Sequence, residues 1–402
     1  MFRYTRQSTL TLVFFSSNSY RFVETSPAGN ICNPNDEPCI GGFARLATLV
    51  RNRLKEEKDS LLLNAGDSFQ GTIWYNILRW NVTQDFMNML PHDAHVLGNH
   101  EFDNGIEGVV PYLQHLDSKV TLASTGRLRF TDEVEAVREE AEKLNAQGVD
   151  IIIVLSHCGI DIDREIAMHA GPHVDIIVGG HSHTLLYNGE APENSGFTPL
   201  GPYPVVVEQA SKKVLIVQAA AHTQYLGEIK LTFDDNGHLL RWNGDPHYIG
   251  NEIPQAPDVL EKINYYLPRI EEQATEVIGS SLVRLSSSCA CSECNLGNLI
   301  CDAFLHAAIP RAANNSWNYA HFCVINQGGI RVPIEEGEIT FESLILSTPF
   351  ENNVEVFDLK GEHILEMLEY SVANEPYAGA RMLQVSGNNF NKSSFINYKT
   401  IN

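Results

Sequence analysis

Four times in the first 185 residues a short apolar run ends in a turn rich in aspartate, asparagine or histidine. Residues 61–63 lead into Asn64-Ala65-Gly66-Asp67, and residues 94–97 into Gly98-Asn99-His100. Residues 150–155 lead into Ser156-His157, and residues 174–178 into Gly179-Gly180-His181-Ser182-His183. Such runs read as strands buried on both faces. Neighbouring strands end side by side, and α/β sheets place ligand sites at those ends. Phe43, Leu46, Val50 and Leu54 share one helical face after Gly41-Gly42. Val134, Val137, Ala141 and Leu144 share another, with Thr131 as the expected cap and Gly148 as the stop. Residues 9–15 read as a first strand. Arg3 and Arg6 ahead of residues 10–15 also mimic a signal peptide with a very short apolar region, and the strand is the favoured reading. Residues 205–208, 214–218 and 226–233 follow as strands without long helices between them. The fold class is therefore α/β, a layered sandwich.

Ile253-Pro254 and Pro257 mark a boundary, after which Leu260, Ile263, Leu267, Ile270 and Ala274 step at helical spacing. The expected organisation is a first domain over 1–252, a linker helix within 253–280 with a kink at Pro268, and a second α/β domain over 281–402. No apolar run approaches the length of a membrane helix. Asp plus Glu outnumber Lys plus Arg by 50 to 28, a net charge of −22. That charge repels phosphate backbones and argues against nucleic acid as a partner. A phosphate-bearing substrate would need local cations, which metal ions supply. The eight cysteines include two close pairs, Cys32/Cys39 and Cys289/Cys294. Disulfides in an oxidising compartment suit them better than a zinc knuckle, since no second pair stands at finger spacing. Sequons at Asn81, Asn314 and Asn391 fit a secreted glycoprotein.

Imidazole and oxygen donors together suit a borderline divalent cation such as zinc or manganese. NAGDSFQGT at 64–72, GNHEFDNG at 98–105, SHCG at 156–159 and GGHSHT at 179–184 resemble the calcineurin-like metallophosphoesterases. GNHEFDNG narrows the resemblance to the 5′-nucleotidase/apyrase branch. NLGNLICDAF at 295–304 and NQGGIR at 326–331 resemble that branch's C-terminal nucleotide-binding domain.

The resemblance implies a four-layer sandwich of two mixed sheets flanked by helices, with a C-terminal domain truncated at Asn402. It implies two divalent metals, usually zinc. One would take Asp67, Asn99, His157 and His181; the other would share Asp67 and use His183 with an Asp-x-His motif after the first strand. His100, oriented by Asp103, would stabilise the transition state or leaving oxygen. Asn326, Gly328, Gly329 and Arg331 would hold the nucleotide, and Phe350 would stack on the base. The pairings Cys32–Cys39, Cys289–Cys294 and Cys301–Cys323 also follow, leaving Cys158 and Cys291 free. The implied activity is hydrolysis of AMP to adenosine and phosphate, with ATP and ADP as the alternative substrates. The protein would be secreted or on the cell surface and could form a homodimer. The chain departs from the family pattern at four places. Ser17 and Ser19 stand where the Asp and His of the first motif belong, strands are missing near 124–127, Ala290 and Ser292 replace the usual arginines, and the second stacking aromatic would lie past Asn402. These departures motivate a contrasting reading, a non-catalytic nucleotide- or partner-binding variant with only one complete metal site.

Overall fold

The parallel strands of the first half are short apolar runs, fully buried in Ile176–Val178 and half-buried in Ile153–Leu155. The structure is a computed structural model that describes residues 8–15, 21–30, 32, 38–117, 131–210, 212–312, 319–373 and 379–386. The expectations for Ser17, Ser19, residues 124–127, Asn314, Asn391 and the stretch up to Asn402 fall outside the described residues. The chain divides into two compact units, Met1–Ile270 and Glu271–Asn402.

In the first unit, β1 (Ser8–Phe15), β2 (Ser60–Asn64) and β3 (Ala94–His95) run parallel, with Phe15, Asn64 and His95 in register at one edge. The helices α1 (Phe43–Glu56), α2 (Ile73–Leu78), α3 (Trp80–Met87), α4 (Gly105–His115), α5 (Glu133–Ala146) and α6 (Ile160–His169) intervene in chain order. Next come β4 (Ile153–Leu155), β5 (Ile176–Val178), β6 (Val205–Glu208), β7 (Lys213–Val217), β8 (Tyr225–Phe233), β9 (Leu239–Asn243) and β10 (His247–Tyr248). The first sheet runs β10-β8-β1-β2-β3, with β9 also paired to β8, and the second runs β4-β5-β7-β6. Each is mixed: β8 lies antiparallel to β1, and β6 antiparallel to β7. Leu12 and Phe14 of the first sheet share one buried cluster with Ile176, Ile177 and Val217 of the second. Phe14 pairs with Gly227, and a Cβ there would stand 2.3 Å from the Phe14 ring. That position therefore accepts glycine alone without moving the core.

Several boundaries differ from expectation. β3 covers only Ala94–His95, because the backbone leaves the sheet to form the next turn. α5 is capped by Asp132, whose carboxylate accepts the Glu135 N–H at 2.9 Å, and not by Thr131. Asp132 sits directly ahead of the first helical residue, where an anion also complements the helix dipole. Asn81 of the first sequon is exposed on α3.

At the edge of the first sheet the His92 and His95 rings pack tilted against each other with centroids 4.4 Å apart, and Phe15 packs edge-on against His92. Burial lowers both imidazoles, His95 to about 4. An unfolded histidine titrates near 6.5, so the unfolded chain takes up more protons below that pH. The stability is complete above pH 6.5 and is lost as pH falls towards 4, by about 3 kcal/mol for His95. The urea midpoint of the native protein should therefore fall between pH 7 and pH 4.5, and that of His95→Phe should fall clearly less. Equal falls in the two proteins would contradict this.

α7 (Pro257–Ala274) carries Pro268 inside one helix. In the second unit β11 (Val277–Ser281) pairs antiparallel with β13 (Gly337–Thr340), and β12 (Cys323–Asn326) with β14 (Leu383–Ser386). The helices α8 (Asn295–Ala308), α9 (Phe341–Ser347) and α10 (Gly361–Ser371) lie between them in sequence. Cys32–Cys39 and Cys289–Cys294 form disulfides, with Cα atoms 5.5 and 5.2 Å apart. Cys158 and Cys291 are free thiols. The expected Cys301–Cys323 bond is not formed: both are thiols, in hydrogen-bond contact with each other. Joining them requires oxidation and no approach of distant chain segments. No helix among the described residues is long and apolar enough to cross a membrane.

Candidate metal centre and nucleotide loop

The loop after β2 is shaped by its own side chains. Asn64 accepts the Gly66 N–H at 2.9 Å through Oδ1, and its amide donates to Ser68 Oγ at 3.1 Å. This turn presents Asp67 in a left-handed backbone conformation, φ 57°. His181 (73°) and His183 (54°) share that region. Three such non-glycine residues at strand ends mark a place where the surrounding fold overrides local preference. Gly98 lets the next loop approach, since a Cβ there would meet Asp67 Oδ1 at 2.0 Å.

Asp67, His157 and His181 each bring one ligand atom into a cluster whose atoms lie within 4.8 Å of one another. Asp67 and the His157 side chain are nearly fully buried, and Asp67 Oδ2 lies 2.8 Å from His157 Nε2. Burial pushes the Asp67 carboxyl up, but the facing His157 imidazole outweighs it and holds the group below the usual range. His157 Nδ1 contacts the Ala65 carbonyl. The carbonyl fixes a proton on Nδ1. Burial pulls the imidazole down, but the facing Asp67 carboxylate outweighs it and holds the ring above its usual range, so Nε2 would become the lone-pair nitrogen a metal ligand needs once a cation displaces its proton. The donor set of one carboxylate and two imidazoles, one of them pre-oriented, fits a divalent cation of the zinc type.

Asn99 is exposed and its Oδ1 lies 3.0 Å from His181 Nδ1, which orients that ring from behind. His100 is tied to the same centre because its backbone N–H donates to Asp67 Oδ1 at 3.0 Å. Its ring Nδ1 lies 2.8 Å from Asp103 Oδ2. His183 stands apart from the cluster of three and packs edge-on against His222, centroids 5.6 Å apart.

Behind these groups lie buried residues that sequence reasoning missed. Glu101 is 1% exposed and accepts backbone N–H bonds from both ligand loops. Burial and the Asp67 carboxylate push it up to about 7, against the N–H donors of Gly98 and Asp67 and the charge of His157. Asp163 is fully buried and accepts from Gln218, which also receives the Ser182 hydroxyl between His181 and His183. An acid beside a histidine reads as solvent-facing in a sequence; only its burial separates it from a surface carboxylate.

In the second unit, the expected nucleotide residues Asn326, Gly328, Gly329 and Arg331 surround the end of β12. Asn326 donates to the Ala380 carbonyl at 3.0 Å, and a tight turn covers Gln327–Gly329. The Arg331 guanidinium lies 5.6 Å from the centre of the Phe350 ring, a cation–π distance. Ala290 and Ser292 fall inside the Cys289–Cys294 disulfide loop.

Comparison with known proteins gives a consistent picture. Residues 32–185 match the family model described as calcineurin-like phosphoesterase, and residues 275–394 match that of the 5′-nucleotidase C-terminal domain. An apyrase of Tabanus yao is 38% identical over 95% of this chain and 77% of its own length. A human 5′-nucleotidase is 35% identical over 94% of this chain and 74% of its own length. A solved 5′-nucleotidase precursor from Thermus thermophilus superposes with a TM-score of 0.80 at 30% identity, covering 94% of this chain and 81% of that one.

Proposed function

This chain belongs to the 5′-nucleotidase/apyrase family of calcineurin-like phosphoesterases, whose reaction is the hydrolysis of nucleotide phosphate, and from that membership we propose that its preferred reaction is AMP to adenosine and phosphate. The observation that carries the reading is the convergence of Asp67, His157 and His181 at the strand ends. The family implies divalent metal ions, and zinc is the proposed identity. Asp67, His157 and His181 would hold one ion, with Asn99 positioning His181 or joining it. His183 would belong to the second site together with Asp67. Such an ion supplies Lewis acidity, neutralising charge on phosphoryl oxygens and making water nucleophilic at neutral pH.

The chain's own residues do the rest. Asp103 accepts the His100 Nδ1–H and so aims the ring, whose Nε2–H in the protonated form would donate to the phosphoryl or leaving oxygen. Asn326, Gly328 and Gly329 would let the backbone meet the nucleoside closely, while Arg331 would fork onto phosphate or ribose oxygens. Phe350, held beside Arg331, would stack on the base. A secreted or cell-surface location is proposed on the strength of the two disulfides.

The alternative is an apyrase, favoured by the name of the Tabanus relative. Phosphate release from AMP, ADP and ATP separates the two: turnover of AMP with ATP untouched is expected, and the reverse would overturn the nucleotidase reading. Phe350→Ala should raise KM for AMP by roughly 5- to 150-fold, from about 1–3 kcal/mol of base stacking. Hydrolysis of a phosphate ester with no base should be unchanged. A fall in both alike would remove Phe350 from the base site.

A further inference from the structure

One buried carboxylate joins the two loops that carry Asp67 and the Asn99-His100 pair. Glu101 Oε2 accepts the Asp67 N–H at 3.0 Å and the Gly98 N–H at 2.5 Å. Glu101 Oε1 accepts the Phe69 N–H at 3.1 Å and the Ser68 N–H. Three of these donors are consecutive residues after β2, and the fourth opens the loop after β3. Consecutive N–H groups of this kind make a concave nest that takes an anion, here supplied by the protein itself. Asp67 holds its left-handed backbone inside this nest, and the facing loop is close enough that Gly98 has no room for a Cβ beside Asp67 Oδ1.

We propose that Glu101 is a positioning residue: its carboxylate fixes Asp67 and the Asn99-His100 turn in the geometry the cation site requires. A glutamine of the same shape would present one oxygen and one amide N–H₂, so at least one oxygen's pair of N–H donors would face donors instead of an acceptor. The turns would then relax away from each other with the core still filled. An aspartate would keep the charge but be one methylene short of spanning both loops.

The inference rests on the proposed cation site, and the test keeps the two apart. Native protein, Glu101→Gln and Glu101→Asp are stripped of metal and titrated with Co²⁺, following the visible absorption of the bound ion. Then kcat and KM for AMP are measured at saturating metal. Glu101→Gln should bind Co²⁺ about 10- to 100-fold more weakly with an altered spectrum, and lose kcat with KM little changed. Glu101→Asp should fall between it and the native protein, and it serves as the variant if glutamine prevents folding. Variants with native Co²⁺ affinity, spectrum and kcat, even if less heat-stable, would reduce Glu101 to a structural residue and overturn the proposal. Native protein that takes up no Co²⁺ would overturn the cation site and this inference together.

Discussion

Asp67→Asn should lower kcat/KM for nucleotide hydrolysis by on the order of 10³-fold, roughly 4 kcal/mol. The substitution keeps the side chain's shape and removes its charge. Asp67 is where the centre's interactions meet: Oδ2 faces His157 Nε2 at 2.8 Å, and Oδ1 receives the His100 N–H at 3.0 Å. The proposed arrangement has this carboxylate shared between both metals, so its loss should also lower bound metal per chain. An amide oxygen can still accept from His100, so the loop should hold. The effect should appear in metal content and turnover rather than in folding. Turnover within tenfold of native, with metal content unchanged, would remove Asp67 from the centre.

The second large effect belongs to His100. His100→Ala should reduce kcat by about 10²- to 10⁴-fold, the range for loss of a positioned proton-transfer group. Asp103→Asn should act in the same direction through the ring it orients, because a neutral amide no longer offsets the charge of the protonated ring that would donate from Nε2. Metal content should stay native in both variants, which separates this pair from Asp67, His157 and His181. A matching loss of bound metal would make His100 part of the metal-holding set instead.

Much of this site was legible because burial and chemistry coincide in the sequence. A parallel strand covered on both faces must be a continuous apolar run, so β2 and β5 announce their own ends, and the polar residue just past each end has one place to go. That logic located Asp67, His157 and His181. It did not locate Glu101, whose side chain turns inward to meet four N–H groups, because a carboxylate between His100 and Phe102 carries no mark of burial. It also overextended β3, since Val96 and Leu97 look as apolar as a strand, while the ladder ends at His95 and only the Val96 N–H still reaches the Asn64 carbonyl. Capping showed a similar limit at α5: Thr131 and Asp132 are both good caps, and a shift of one residue chooses between them. His183, expected at the second site rather than in this set, packs against His222, a ring from a loop much later in the chain that spacing cannot reveal.

Metal-dependent phosphate release from AMP tests the central claim most directly. The protein is stripped with chelator, assayed, reloaded with Zn²⁺ and assayed again, with bound metal counted at each stage. The expected result is no turnover when stripped and turnover restored in step with bound zinc. A folded, monodisperse protein that binds AMP but releases no phosphate at any metal loading would contradict the claim. It would leave this chain a nucleotide binder on a phosphohydrolase scaffold.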